Sequence, residues 1–390
     1  MARVQSLDAF EFKGSAKTTW LFLRVTSTSG VAGYGEITHF GVEAGARQKL
    51  DALAAAAVGL DTADRERFVR DRLARERDLA GQIILSGFEQ ALIDIRAREL
   101  GVSACELLGG QRAPDVTCYA NINRGTLDHS PEGFASRAAA AVAAGYPAVK
   151  LAPFDGVVAA DVGTREAADL VRTGIDRVAA VRNAVGPAIR VAVDCHGRFN
   201  EVMAKHMIRE LAPHDPFWVE EPVREEPGNY PLLRRIRSFA NDRGIRVAGG
   251  EDQFMINTFR AIVDSECMDV VLPDVRFCGG PLEALRIGHL AVGAGMEFSL
   301  HNPVGPVLDA VSLRVAAAAP SLIMLERTFE EFEGHLGLTK PAMSHPPGQA
   351  DFTAPGWGVD IDEANLTPLT WPAEAASADL HAVAGAGPYA

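Results

Sequence analysis

The hydrophobic and polar positions of this chain change rhythm twice. Over residues 2–36 they alternate, as in WLFLRVTSTSGVAGYGE, and two short runs meet at the turn pair Ser29-Gly30. That pattern predicts an antiparallel hairpin. Between 45 and 110 the apolar period lengthens. Ile84, Phe88, Ala91, Leu92 and Ile95 recur at helical spacing, and Gly101 follows as a stop. Strands followed by helices predict a small α+β unit.

From about residue 116 short apolar runs alternate with longer amphipathic stretches. The runs are VTCYANIN, YPAVKLA, IRVAVDCH, PFWVEE, IRVAGGE, MDVVLPD, MEFSLH and LIMLER. From the second onward they close on Lys150, Asp194, Glu220, Glu251, Asp274, His301 and Glu326, in steps of 44, 26, 31, 23, 27 and 25 residues. Runs apolar on both faces suit a parallel sheet covered by helices. Eight of them at about 31 residues per unit predict a closed (β/α)8 barrel rather than an open Rossmann sheet. No GxGxxG follows a first strand and no GxxxxGK[ST] occurs, which leaves dinucleotide and P-loop readings without support.

In a barrel the chemistry sits where the strands end. Asp194, Glu220 and Glu251 close three successive runs, and like charges brought that close need a proton or a cation between them. Hard oxygen ligands favour Mg²⁺. Asp274 and His301 close two further successive runs, and a carboxylate beside an imidazole fixes its tautomer and raises its basicity. Read as a strand residue two beyond Asp194, His196 shares its face and points into the same cavity. The third and seventh strands stand opposite each other on an eight-strand circle, so His196 and His301 would flank a bound molecule. Lys150 supplies a cation beside the metal carboxylates or a substrate oxyanion. Glu326 either donates to a substrate carboxylate when protonated or pairs with Arg327. Asn121 and Asn123, ending the first strand, are candidates for distal hydroxyls. His39 and Phe40, after the predicted hairpin, are candidates to reach the barrel mouth. Trp218 reads as core.

Composition narrows the partners. Lys plus Arg total 38 against 51 Asp plus Glu, a net charge of −13, which argues against a nucleic-acid or anionic-lipid surface. The five cysteines are scattered without CxxC, unlike a disulfide scaffold or a zinc finger. The start MARVQSLDAF has no apolar signal core, and no stretch is long enough to span a membrane, so a cytoplasmic protein is expected.

The segments AVKLA, VAVDCHGRF, WVEEP, VAGGED, VVLPDVRFCGG, FSLHNPVGP and MLER resemble the mandelate racemase-like branch of the enolase superfamily, and SGFEQALIDIRARELGVSACELLGG resembles its N-terminal domain. The resemblance implies a (β/α)7β-type TIM barrel with an N-terminal α+β capping domain. It divides the chain into 1–115, a barrel at 116–335, and a segment 336–390 that packs back on the capping domain. It implies Mg²⁺ on Asp194, Glu220 and Glu251, with Glu220 rather than Glu221 the ligand, the acid/base dyad Asp274–His301, and Glu326 at the substrate carboxylate. The shared step is removal of a proton α to a carboxylate, with the metal stabilising an enediolate. Many members carry Lys-x-Lys on the second strand. Here the second position is Ala152, which cannot move a proton and disfavours lysine-based racemisation or lactonisation.

Asp194-Cys195-His196-Gly197-Arg198 looks instead like the third-strand motif of D-galactonate dehydratase-type acid-sugar dehydratases, where the histidine is the general acid. Asp252 stands where the galactonate enzymes have a positive residue, a departure in substrate recognition. The expected function is a Mg²⁺-dependent dehydratase of a sugar acid, working as a homo-oligomer between dimer and octamer on a small carboxylate substrate. The alternatives are a two-histidine epimerase or a non-catalytic sugar-acid binding protein.

Overall fold

The computed structural model describes residues 2–14, 18–38, 46–161, 163–329, 337–342 and 351–369. The N-terminal alternation folds into three antiparallel strands, β1 (Val4–Lys13), β2 (Thr19–Ser27) and β3 (Ala32–Glu36), one more than the hairpin predicts. The predicted turn joins β2 to β3, where Ser27 and Val31 are bonded at 2.9 Å and Gly30 takes a φ of +82°. The extra strand, β1, pairs with β2 over its whole length.

Four helices follow: α1 (Ala46–Ala57), α2 (Arg65–Leu73), α3 (Leu79–Leu100) and α4 (Ala104–Leu107). Asp78 starts α3 by accepting from Gly81 N, and Gly101, at φ +67°, ends it as predicted. This helix is buried on nearly every side because β3 lies against it. The approach needs bare backbone: a Cβ on Gly35 would stand 1.9 Å from the Gly87 carbonyl oxygen.

The eight apolar runs become eight parallel strands, each shorter than its run: β4 (Cys118–Asn121), β5 (Ala148–Leu151), β6 (Arg190–Asp194), β7 (Trp218–Glu220), β8 (Arg246–Gly249), β9 (Val270–Val271), β10 (Glu297–Phe298) and β11 (Leu325–Thr328). The helices between them are α5 (Pro131–Ala143), α6 (Arg165–Val185), α7 (Glu201–Leu211), α8 (Tyr230–Asn241), α9 (Met255–Ser265), α10 (Pro281–Gly293) and α11 (Pro306–Ala318). Neighbours run from β10 through β9 down to β4 and then β11. The ends of that sheet meet, since Leu300 bridges Leu325 in parallel and Ile323 N donates to Phe298 O at 2.9 Å.

Period-two alternation sorts the strand side chains. Val149, Leu151, Val191, Val193, Val219, Val247 and Val271 join the large core shared with the helices. Tyr119, Ala148, Ala192, Trp218, Ala248, Val270, Leu272 and Met324 form a separate cluster that plugs the barrel. Two residues above this plug, on the same faces, stand Asn121, Lys150, Asp194, Glu220 and Glu326, all buried. The site is therefore a polar layer on an apolar floor.

The N-terminal domain grips this rim. Glu36, fully buried, accepts from Gly305 N at 2.8 Å and Leu308 N at 3.0 Å, capping α11, which makes no side-chain cap of its own. Phe277, from the β9–α10 loop, packs into the N-terminal domain's own core. Beyond the barrel, β12 (Thr339–Lys340) pairs with β13 (Asp360–Ile361), and β14 (Thr367–Pro368) adds to β1 at Phe10 and Glu11. Trp357 Nε1 donates to Gln90 O at 3.0 Å, and Arg98 pairs with Asp360 at 2.6 Å. No described helix is long and apolar enough to cross a membrane.

Candidate active site

Asp194 and Glu220 are the last residues of β6 and β7 and stand in register. Glu251 follows β8 by two residues. Ligand oxygens of all three lie within 4.8 Å of one another. Each oxygen of Glu220 already has a donor below it: Lys150 Nζ at 2.7 Å and Trp218 Nε1 at 3.0 Å. Trp218 is thus core, as expected, and also an anchor for a site carboxylate. Glu251 Oε2, by contrast, is shielded from solvent and takes no hydrogen bond, although His301 Nε2 is 3.1 Å away. Burial, then Glu221, Asp194 and Asp252, push Glu251 well above the usual carboxylate range; burial and Asp194 also raise Glu220. Crowded hard oxygens with an orphan among them fit a divalent cation. A second acidic group, Glu221, Glu251 and Asp252, shares Glu251 with the first.

Lys150 lies inside β5 rather than closing it. It is fully buried, 2.7 Å from Glu220, 3.0 Å from Glu326 and 3.7 Å from Asp194. Burial opposes its charge, but these carboxylates prevail and hold the ammonium protonated. Glu326, second in β11, accepts from Lys150, from Asn121 Nδ2 at 2.7 Å and from Asn302 N at 3.1 Å. Of its two expected roles, the Arg327 pairing is absent, because Arg327 forks onto Asp309. Glu326 acts here as an acceptor: despite burial, Lys150 and His301 draw it below the ordinary range. Asn121 is committed to Glu326. Asn123 accepts from Ala152 N at 2.7 Å and leaves its own Nδ2 shielded and unbonded. His39 and Phe40 fall outside the described residues.

The two histidines arrive differently. His301 follows β10, bridged to Asp274 across the strands, with Nδ1 2.9 Å from Asp274 Oδ2. His196 is not a strand residue as the i+2 reading supposes. The strand stops at Asp194, and His196 enters a turn at φ +47°, closed by Gly197 N donating to Glu221 O at 2.7 Å. Its ring nonetheless folds back, Nε2 3.0 Å from Asp194 Oδ2. The strands β6 and β10 stand four places apart among eight, so the two imidazoles rise from opposite sides of the barrel.

Sequence reading missed Arg276, 2% exposed, whose guanidinium forks onto Asp274. Its signal was a cation two residues past an acid at a strand end. It also missed Glu225, whose Oε2 accepts from Gly250 N at 2.6 Å while Oε1 is shielded and unbonded.

Residues 133–365 match the enolase C-terminal domain-like family, more than half of the chain, and residues 9–109 match the mandelate racemase / muconate lactonizing enzyme N-terminal domain. The chain belongs to this family. Among its relatives, a D-galactonate dehydratase of Xanthomonas axonopodis pv. citri is 30% identical over 376 residues, 91% of this chain and 94% of that protein. A D-gluconate dehydratase of Thermoproteus tenax is 30% identical over 295 residues, 74% of this chain and 56% of that enzyme's length. A crystal structure of a mandelate racemase/muconate lactonizing enzyme from Jannaschia sp. CCS1 superposes with a TM-score of 0.80 at 26% identity, covering 93% of this chain and 96% of that one.

Proposed function

We propose that this family member is a Mg²⁺-dependent dehydratase of a sugar acid, an aldonate or aldarate, giving a 2-keto-3-deoxy acid. The observation that carries the reading is the pair of imidazoles on opposite sides of one carboxylate cluster, each tied to an acid of its own. The two dehydratase relatives, named for D-galactonate and D-gluconate, support the substrate class. Asp194, Glu220 and Glu251 would hold Mg²⁺, which when bound supplies positive charge to the substrate carboxylate and to the enediolate derived from it.

The remaining work falls to the chain. Asp274 keeps the proton of His301 on Nδ1, leaving Nε2 to accept the C2 proton. Without a concentrated positive field the resulting dianion is too unstable to form, and Lys150 adds a fixed cation beside it. Glu326 and Glu220 hold that ammonium in place. His196 gives a proton to the 3-hydroxyl as the C3–O bond breaks, and water leaves. The enol then takes a proton at C3 and becomes the 2-keto acid. A base and an acid on opposite faces suit anti elimination. Ala152 has no proton to offer from the second strand.

The same opposition of imidazoles also suits a two-base epimerase, which would place solvent deuterium at C2 without loss of water. Purified protein with Mg²⁺, screened against a stereochemically complete acid-sugar library, should release a keto acid that reacts with semicarbazide for at least one member. No absorbance across the library would contradict the dehydratase.

A further inference from the structure

Asp274 holds more donors than a dyad requires. Its Oδ1 accepts from Arg276 N at 2.7 Å and Arg276 Nε at 3.0 Å. Its Oδ2 accepts from Arg276 Nη2 at 2.5 Å and faces His301 Nδ1 at 2.9 Å. A planar guanidinium gripping both oxygens sets the plane of a carboxylate in a way a single ammonium cannot. Here that plane decides whether Oδ2 points at the imidazole.

Arg276 is itself tied to the N-terminal domain. Its Nη1 reaches the Thr38 carbonyl, just past β3, at 3.3 Å. On one side of it Val275 O accepts from Ser86 Oγ of α3 at 2.7 Å. On the other, Phe277 sits in the N-terminal core, its ring 4.5 Å from the guanidinium carbon. Three consecutive residues beyond Asp274 are therefore held by a different domain from the one that carries the dyad. The cation has a second consequence. A carboxylate already satisfied by a guanidinium is a weak proton acceptor. Asp274 therefore orients the imidazole through Nδ1, and Nε2 faces the carboxylate cluster, 3.1 Å from Glu251 and 3.9 Å from Glu326.

Building on the dehydratase reading, we propose that Arg276 is a positioning residue for proton abstraction: braced by the N-terminal domain through Thr38, it fixes the plane of Asp274 and thereby the aim of His301 Nε2. Two arms test it on the full chain. The first is a crystal structure of Arg276→Met, which should show Asp274 rotated and its contact with His301 Nδ1 lost. The second is turnover on whichever sugar acid the wild-type protein consumes in the library screen. Arg276→Met should lower kcat about 10²-fold with KM and Mn²⁺ affinity within about twofold of wild type, because a displacement of about 1 Å costs that much. Arg276→Lys, which keeps the charge but not the fork, should recover about a tenth of the rate.

An Arg276→Met protein that keeps the Asp274–His301 contact, or turns over within about twofold of wild type, would overturn the inference. So would equal losses of kcat, Mn²⁺ affinity and Tm in both variants, the mark of a purely structural arginine; should the Met variant not fold, the Lys variant decides by the same comparison. A wild-type protein inactive on every sugar acid would refute the dehydratase and leave the crystallographic arm to decide Arg276.

Discussion

Two adjoining arcs of the barrel rim balance charge in opposite ways. The arc over β6, β7 and β8 gathers Asp194, Glu220, Glu221, Glu225, Glu251 and Asp252; burial together with mutual repulsion raises Glu220, Glu221, Glu225 and Glu251, while Asp194, beside His196 and Lys150, is held down despite its burial. The arc over β9, β10 and β11 matches acid to base: Asp274 with Arg276, Asp309 with Arg327, and Glu326 with the Lys150 of β5, a cation it shares with Glu220. There the cations outweigh burial, and Asp274 and Glu326 fall below the ordinary range. An unbalanced buried arc calls for an external cation, whereas a balanced one carries its own partners. The first is built to bind and the second to aim.

Replacing the proposed base, His301, should do most damage. His301→Asn is expected to lower both C2 hydrogen–deuterium exchange and dehydration by about 10⁴-fold, followed by NMR in D₂O and by semicarbazide. Retained exchange would move the base elsewhere. His196→Asn, on the acidic arc, should split the two steps: dehydration falls about 10²- to 10³-fold while C2 exchange persists. Full turnover in that variant would remove His196 as the acid.

The smallest effect tests the imbalance itself. Burial and the charges of Asp252, Glu220 and Asp194, against a single Gly250 N–H, push Glu225 up to about 8. The folded chain then holds a proton that the unfolded chain sheds from about pH 4.3 upward. Stability is lost as pH climbs from there to 8 and levels beyond it. Glu225→Gln keeps an acceptor for Gly250 and escapes that loss. In metal-free protein its Tm advantage should be near zero at pH 4.5 and grow to the order of 2 °C by pH 8. A difference independent of pH would mean that Glu225 is not a strained carboxylate.

Much of this rim could be read from the chain because strand residues two apart share a face. An apolar residue beneath a polar one, as in Trp218 and Glu220 or Ala192 and Asp194, places both the floor and the site. Residues that left the strand escaped the rule. His196 reaches Asp194 through a left-handed turn that periodicity does not foresee. Glu36 and Thr38 touch the barrel across more than 200 residues of chain, a separation that no local pattern encodes. Arg276 was visible as a residue but not as a brace, since the brace depends on Thr38, which arrives from the N-terminal domain, and on Phe277 finding a place in that domain's core.

The central claim is that three strand-end carboxylates hold a divalent ion beneath the two histidines. Crystals grown with Mn²⁺ and measured at its absorption edge test it directly. The account predicts one anomalous peak within about 2.3 Å of an oxygen from each of Asp194, Glu220 and Glu251. No peak there at saturating metal, with Lys150 alone still bridging Glu220 and Glu326, would contradict it.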